Sequence, residues 1–260
     1  MAETAGVIRL LLCPLAEALP LAEQYHPLLD EREQAHLGGL GRAPARQRYL
    51  VGRALLRHGL AEVLARAPDE LAFAIGPQGK PRLVDDACYF NLSHSHDWLV
   101  LAISQAGPVG VDIEFHGRRN RIDKLARYYF SPAEQLRLGE LPEPERRAYF
   151  FMLWTLREAY AKALGCSLWD TLAGTRIDWP EGGVPELHLS GRACHGYGVR
   201  WWHLNPLPDY SLALAGLGEG HRLARVQAAE MIPGQVARPF APSRTGAVSG
   251  WCEGCQGNDD

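Results

Sequence analysis

The sequence predicts an α+β fold built from two similar halves, each a group of helices packed on a small antiparallel sheet. Three observations predict it. Two long stretches, 44–64 and 144–164, carry apolar residues at helical spacing. Short apolar runs bounded by Gly, Pro, Asn, Asp and Ser stand before and after each of them. The resulting order is strand, helices, strands, helices, strands.

Taken in order, Val7 to Cys13 is an apolar first strand. Acidic Glu3 precedes it and no small-residue cleavage site follows, so it does not read as a signal peptide. Asp30 to Leu37 is a short polar helix. Tyr49, Leu50, Leu55, Leu56, Leu60, Val63 and Leu64 mark the apolar stripe of the first long helix. Gly76 to Pro81 is a turn cluster. Tyr89–Ser93, Trp98–Ser104 and Val109–Glu114 read as adjacent, mostly antiparallel strands. Ser131-Pro132-Ala133-Glu134 is a helix start, with a serine cap, proline in the first turn and a glutamate placed to close a capping box. The second long helix runs from about Pro144 to Leu164 and stops at Gly165. Further strands follow at Thr175–Trp179, Glu186–Leu189, Val199–Leu204 and Ser211–Gly216. The two long helices are expected counterparts, although identity between the halves is too low to establish a repeat. Beyond Gly218 periodicity fades, and the reading is a loosely ordered tail. The expected division is 1–105, 106–218 and a tail 219–260.

A chain of 260 residues with 47% apolar and 22% charged residues buries a full core. A formal net charge of -3 provides no global attraction to nucleic acid or to an acidic membrane. No apolar run approaches the ~20 residues needed to span a bilayer. The six cysteines are scattered, which fits free thiols in the cytoplasm. Cys252 and Cys255 form a lone CxxC that stays unassigned.

Two segments carry the chemistry. Gly110-Val-Asp-Ile-Glu114 is a strand, and its period of two puts Asp112 and Glu114 on one face. Trp154-Thr-Leu-Arg-Glu-Ala-Tyr-Ala-Lys162 is helical, and its spacing puts Trp154, Glu158 and Lys162 on one stripe. Glu158 stands in an otherwise apolar and aromatic helix, and a carboxylate there calls for a partner or a metal. A plain Glu158–Lys162 surface pair gains only a few tenths of a kcal/mol, too little to offset burial. Three carboxylates and a lysine on two rigid elements make a hard-cation site beside room for an anionic substrate. Phe90-Asn-Leu-Ser-His-Ser-His96 ends a strand in hydroxyls and imidazoles that suit phosphate, and no further His or Cys set completes a zinc site. Lys80 sits on a turn, and Arg46, Arg48, Arg53 and Arg57 band the first long helix.

With Gly79-Lys80-Pro81, Phe90 to Ser95, Gly110 to Glu114 and Trp154 to Lys162 in this order and spacing, the chain resembles the Sfp-type 4'-phosphopantetheinyl transferases. The resemblance implies two halves related by a pseudo-two-fold axis, with coenzyme A in the cleft between them. It implies magnesium held by Asp112, Glu114 and Glu158, and Lys162 near the transferring phosphate. It implies Arg48 on the 3'-phosphate, and Lys80, Ser93 and His94 as further nucleotide and phosphate contacts. The implied reaction moves phosphopantetheine onto a serine of an apo acyl or peptidyl carrier protein, with Glu158 as the base, by a monomeric cytoplasmic enzyme. The alternative is a binding module for coenzyme A or a carrier protein with the same fold and no catalysis. Arg118, Arg119, Arg121, Lys124 and Arg127 are offered as a docking patch for an acidic carrier. Arg157 departs from the family pattern, which usually has lysine there.

Overall fold

In both halves the first strand is buried on two faces, and the chain then leaves through helices to reach a closing hairpin. The N-terminal half runs β1 (Val7–Pro14), α1 (Leu15–Ala18), a 3-10 stretch (Leu19–Leu28), α2 (Glu31–Gly39) and α3 (Ala43–Leu64). It continues with the small hairpin β2 (Phe73–Ile75) and β3 (Pro81–Leu83), then β4 (Tyr89–Ser95) and β5 (Trp98–Ser104). The C-terminal half repeats the plan: β6 (Val109–Phe115), α4 (Ile122–Tyr129), α5 (Pro132–Glu140), α6 (Glu145–Leu164) and α7 (Leu168–Leu172). The small hairpin β7 (Thr175–Asp178) and β8 (Glu186–Leu189) follows, then β9 (Val199–Leu204) and β10 (Tyr210–Leu217). The computed structural model describes residues 6–76, 79–117, 122–172, 174–178, 186–190, 198–204, 207–218, 225–240 and 248–252. Arg118, Arg119 and Arg121 of the expected docking patch, and the side chains of the Cys252/Cys255 pair, lie outside the described residues.

Strand pairing is the same in both halves. The first strand pairs antiparallel with the last, which pairs antiparallel with the one before it, giving β1-β5-β4 and β6-β10-β9. The two sheets pack face to face through Ile8, Leu10, Leu12, Val100, Val111, Ile113, Leu212 and Leu214. α3 covers the outer face of the first sheet and α6 that of the second, so the layers run helix, sheet, sheet, helix.

The duplication extends to buried ions. In α2, Asp30 caps the helix and Glu33 closes the capping box. Glu33 accepts from Arg57 of α3 at 2.8 Å. In α5, Ser131 and Glu134 make the same box, and Glu134 accepts from Arg157 of α6 at 2.7 and 2.8 Å. Each arginine lies over a phenylalanine, Arg57 on Phe73 and Arg157 on Phe130. The expected counterpart relation of the two long helices therefore holds at the level of individual side chains.

Two expectations need correction. β6 lies beside β4 as expected, but it runs parallel to β4 and its ladder hydrogen bonds belong to the second sheet, of which it is an edge. β4 and β6 meet edge to edge through side chains: the Val111 N–H donates to Asn91 Oδ1 at 2.9 Å and the Phe115 N–H to Ser95 Oγ at 3.0 Å. Polar side chains at alternate positions of β4 satisfy the N–H groups that a neighbouring strand would otherwise take. The second correction concerns the tail. β11 (Arg225–Glu230) pairs parallel with β1, and β12 (Arg238–Pro239) pairs with β11. Ala229, Met231 and Ile232 are buried, and Phe240 packs between the sheets. β13 (Val248–Cys252) pairs with β9. The open edges of β1 and β9 supply backbone partners that the weak periodicity of this segment does not announce. No helix among the described residues is long and apolar enough to cross a membrane.

Candidate active site

The site forms where β4 meets β6 and α6 lies across them. Gly110 sets that approach. A Cβ there would stand 2.1 Å from the Ala159 carbonyl oxygen and 2.4 Å from the Ala163 nitrogen, both backbone atoms of α6. Only glycine lets the helix sit this close to the strand. Val109, Val111 and Ile113 point into the inter-sheet core, so Asp112 and Glu114 face α6.

Asp112 is the centre. Its Oδ1 accepts from Lys162 Nζ at 2.6 Å and from Ser93 Oγ at 2.9 Å. Lys162 Nζ also donates to Ser93 Oγ at 3.2 Å. Asp112 is 5% exposed, and among the described residues its buried Oδ2 has no hydrogen-bond partner. Glu114 accepts from Ser95 Oγ at 3.0 Å. Burial, then the charges of Asp112 and Glu114, raise the Glu158 carboxyl above its usual range, against the opposing effect of Lys162. Asp112, Glu114 and Glu158 therefore share one electrostatic neighbourhood with Lys162. Among the described residues no three His, Cys, Asp or Glu side chains stand ready to ligate one ion as they are. The unpartnered Oδ2 and the crowded carboxyls do fit part of an oxygen ligand set, completed by water and substrate phosphate as hard divalent cations commonly require.

The other expected residues divide. Lys80 donates to the carbonyls of Lys162 at 2.6 Å and Val109 at 3.3 Å, so its ammonium lies at the site's backbone and not in open solvent. Burial, then the Lys162 charge, bring its pKa down to about 8. His94 is exposed on the opposite face of β4 from Ser93 and Ser95, because adjacent strand residues cannot face the same way. Arg48 is exposed on α3. Neither belongs to the Asp112 cluster. Of the expected docking patch, Lys124 and Arg127 are described and exposed on α4.

Arg157 has a structural explanation. Only 1% exposed, it grips both oxygens of Glu134, the Thr175 carbonyl at 3.0 Å and the Leu153 carbonyl at 3.2 Å. Glu134 also accepts from the Ile177 N–H at 2.9 Å. The guanidinium ties α5, α6 and β7 together: Nη2 reaches Glu134 and Thr175, Nη1 reaches Leu153, and its plane lies over Phe130, a combination of spread donors and flat face that lysine lacks. Sequence reasoning passed over Asn91 and Ser95, which join the halves, and the spatial role of Gly110. The available signal was Asn91, Ser93 and Ser95 at a period of two on a strand otherwise apolar.

Comparison with known proteins shows the family. A family model described as the 4'-phosphopantetheinyl transferase superfamily matches residues 108–215, and one described as 4'-phosphopantetheinyl transferase, N-terminal, matches 20–106. The 4'-phosphopantetheinyl transferase AcpT of Escherichia coli (strain K12) is 36% identical over 143 residues, 55% of this chain and 67% of that protein. This chain belongs to the 4'-phosphopantetheinyl transferase family. Other members of the family that it matches are HetI of Nostoc sp., 34% identical over 46% of this chain and 52% of HetI, and gsp of Aneurinibacillus migulanus, 38% identical over 50% and 54%. The chain thus spans about half the length of these two relatives. Among solved structures, a holo-(acyl-carrier-protein) synthase from Bacillus anthracis in complex with coenzyme A aligns at a TM-score of 0.35 and 19% identity, covering 42% of this chain and 94% of that one. An alignment at that score decides nothing about the site. The boundary between the two matched family models falls between β5 and β6, where the second copy of the structural plan begins.

Proposed function

We propose that this chain transfers 4'-phosphopantetheine from coenzyme A to a serine of an apo acyl or peptidyl carrier protein and releases adenosine 3',5'-bisphosphate. The observation that carries the reading is the Asp112–Lys162–Ser93 cluster, with a buried free carboxylate oxygen, at the joint between the halves of a family member. A cleft of about 420 Å³ lies beside it, lined by Lys80, Pro81, Arg82, Tyr89, Phe90 and Gly165. Cations and aromatic faces there suit a phosphorylated nucleotide.

Asp112, Glu114 and Glu158 would hold magnesium, which would neutralise charge on the diphosphate of coenzyme A. In this reading Lys162 donates to a phosphate oxygen as charge builds on it. Glu158, whose raised carboxyl suits proton transfer, takes the proton of the carrier's serine. The serine oxygen bonds to the phosphorus of the pantetheine arm, and the bond from that phosphorus to the oxygen of the departing nucleotide breaks. Ser93 steadies Asp112 and Lys162 and, with Lys80, meets the anionic substrate, while Arg48 and His94 receive the 3'-phosphate end from the α3 side of β4. The halves 1–105 and 106–218 act as one catalytic unit, a monomer in the cytoplasm, where Cys13, Cys88 and Cys166 remain free thiols.

The test is labelling of apo carrier proteins with a fluorescent coenzyme A, read by mass spectrometry as a gain of one phosphopantetheine. Asp112→Ala and Glu158→Ala should abolish it. Binding of coenzyme A without any mass gain, across a panel of carriers, would favour the non-catalytic module, and wild-type labelling by either variant would overturn the residue assignment.

A further inference from the structure

Lys80 is the residue whose position departs furthest from a simple substrate contact. It stands at the end of a tight turn, in which the Gly76 N–H donates to the Lys80 carbonyl at 2.8 Å and the Gly79 N–H to the Gly76 carbonyl at 3.0 Å. That turn belongs to the small hairpin of the N-terminal half, between β2 and β3. Its ammonium, however, reaches the C-terminal half, donating to the carbonyls of Val109 and Lys162. Those two carbonyls flank a tight approach: Gly110, next to Val109, lies against the backbone of Ala159, Lys162 and Ala163. Lys162 is in the last turn of α6, where among the described residues its carbonyl accepts only the capping Gly165 N–H at 3.3 Å from the backbone and Lys80 adds a second donor. The same residue's side chain holds Asp112.

We propose that Lys80 is a positioning residue that clamps the end of α6 onto β6 across the halves, and so fixes Lys162 against Asp112. Among the described residues its ammonium donates to these two carbonyls and to nothing else, which leaves a third N–H for an anion in the cleft that Lys80 lines. Lys80 then links occupancy of the cleft to the placement of Lys162. This rests on the transferase reading for its catalytic consequence, but the clamp itself does not.

Lys80→Met keeps the apolar stem and removes the donors. Two measurements on the full chain decide. Amide hydrogen exchange of Gly165 and Cys166, whose N–H groups bond to the carbonyls of Lys162 and Ala161, should quicken at least tenfold while amides of β5 keep their protection. In carrier labelling, kcat should fall at least tenfold, beyond any rise in KM for coenzyme A from the lost anion contact. Unchanged exchange at Gly165 and Cys166 overturns the clamp. A raised KM at wild-type kcat also overturns it and leaves Lys80 a plain phosphate contact. If the wild-type chain labels no carrier, the transferase reading falls, and the exchange measurement alone decides the clamp.

Discussion

Lys162 Nζ lies 2.6 Å from Asp112 Oδ1, so the lysine of α6 pairs across to a strand 50 residues away and not with Glu158, its neighbour one turn back. The pairing leaves Glu158 beside two other carboxylates and gives the site both an ammonium and excess negative charge in one half-buried place. A group that must bind a cation and stabilise a phosphate anion needs both. Lys162→Met should therefore lower carrier labelling about 10²–10³-fold, in line with losing a charged donor at a reacting centre, while far-ultraviolet circular dichroism stays unchanged.

Gly110 should tolerate no side chain. In Gly110→Ala the added carbon meets backbone of Ala159 and Ala163 and cannot be relieved by a rotamer change. The helix must lift from β6, at a cost of at least the roughly 1–3 kcal/mol typical of overpacking. A lower urea midpoint together with lost labelling is expected. Wild-type stability would show that α6 does not sit where described.

The buried Glu134–Arg157 pair should be a large local contributor. Arg157→Met leaves the Glu134 carboxylate, 2% exposed, without its counter-ion, and removing one partner of a buried pair costs about 3–5 kcal/mol. Arg157→Lys should recover only part of this, because an ammonium at the Nη2 position loses the separate Nη1 bond to the Leu153 carbonyl and the planar contact over Phe130. Arg57→Met, which breaks the corresponding pair with Glu33, should cost less, because Arg53 still pairs with the other Glu33 oxygen. Urea unfolding of the three variants provides the comparison.

Acid should unfold the protein partly through His203. This side chain is 5% exposed, its Nε2 has no hydrogen-bond partner among the described residues, and burial, then the nearby charge of His116, push its pKa down to about 4. Because the unfolded chain takes up the proton near the ordinary histidine value, the stability held by neutral His203 is complete above about pH 6.5 and is lost as pH falls toward 4. The integrated effect is on the order of 3 kcal/mol. Urea midpoints between pH 7 and 4.5 should fall steeply for the wild type and less steeply for His203→Phe.

The tail should prove structural. A chain ending at Gly218 exposes the apolar edge of β1, where six residues from Val7 to Leu12 now pair with β11, and leaves the space of Met231, Ile232 and Phe240 empty. Self-association in sedimentation velocity and a lower melting temperature are expected. A monodisperse truncated protein of unchanged stability would refute this.

By itself the sequence determined what is set within a few turns of chain. The capping box at Ser131 and Glu134, the stop at Gly165 in a left-handed conformation, the two long helices and the strand alternation of Asp112 and Glu114 all depend on local spacing, and all appear in the structure. The four motifs also carried the family. Tertiary structure decided which of the marked residues meet. It placed β6 in the second sheet, turned Lys162 to Asp112, drew Lys80 onto main-chain carbonyls, sent Arg157 to Glu134 and folded the tail against β1. None of these is periodic in sequence: each depends on packing between segments tens to hundreds of residues apart, where shape and the need to satisfy buried polar groups choose the partner.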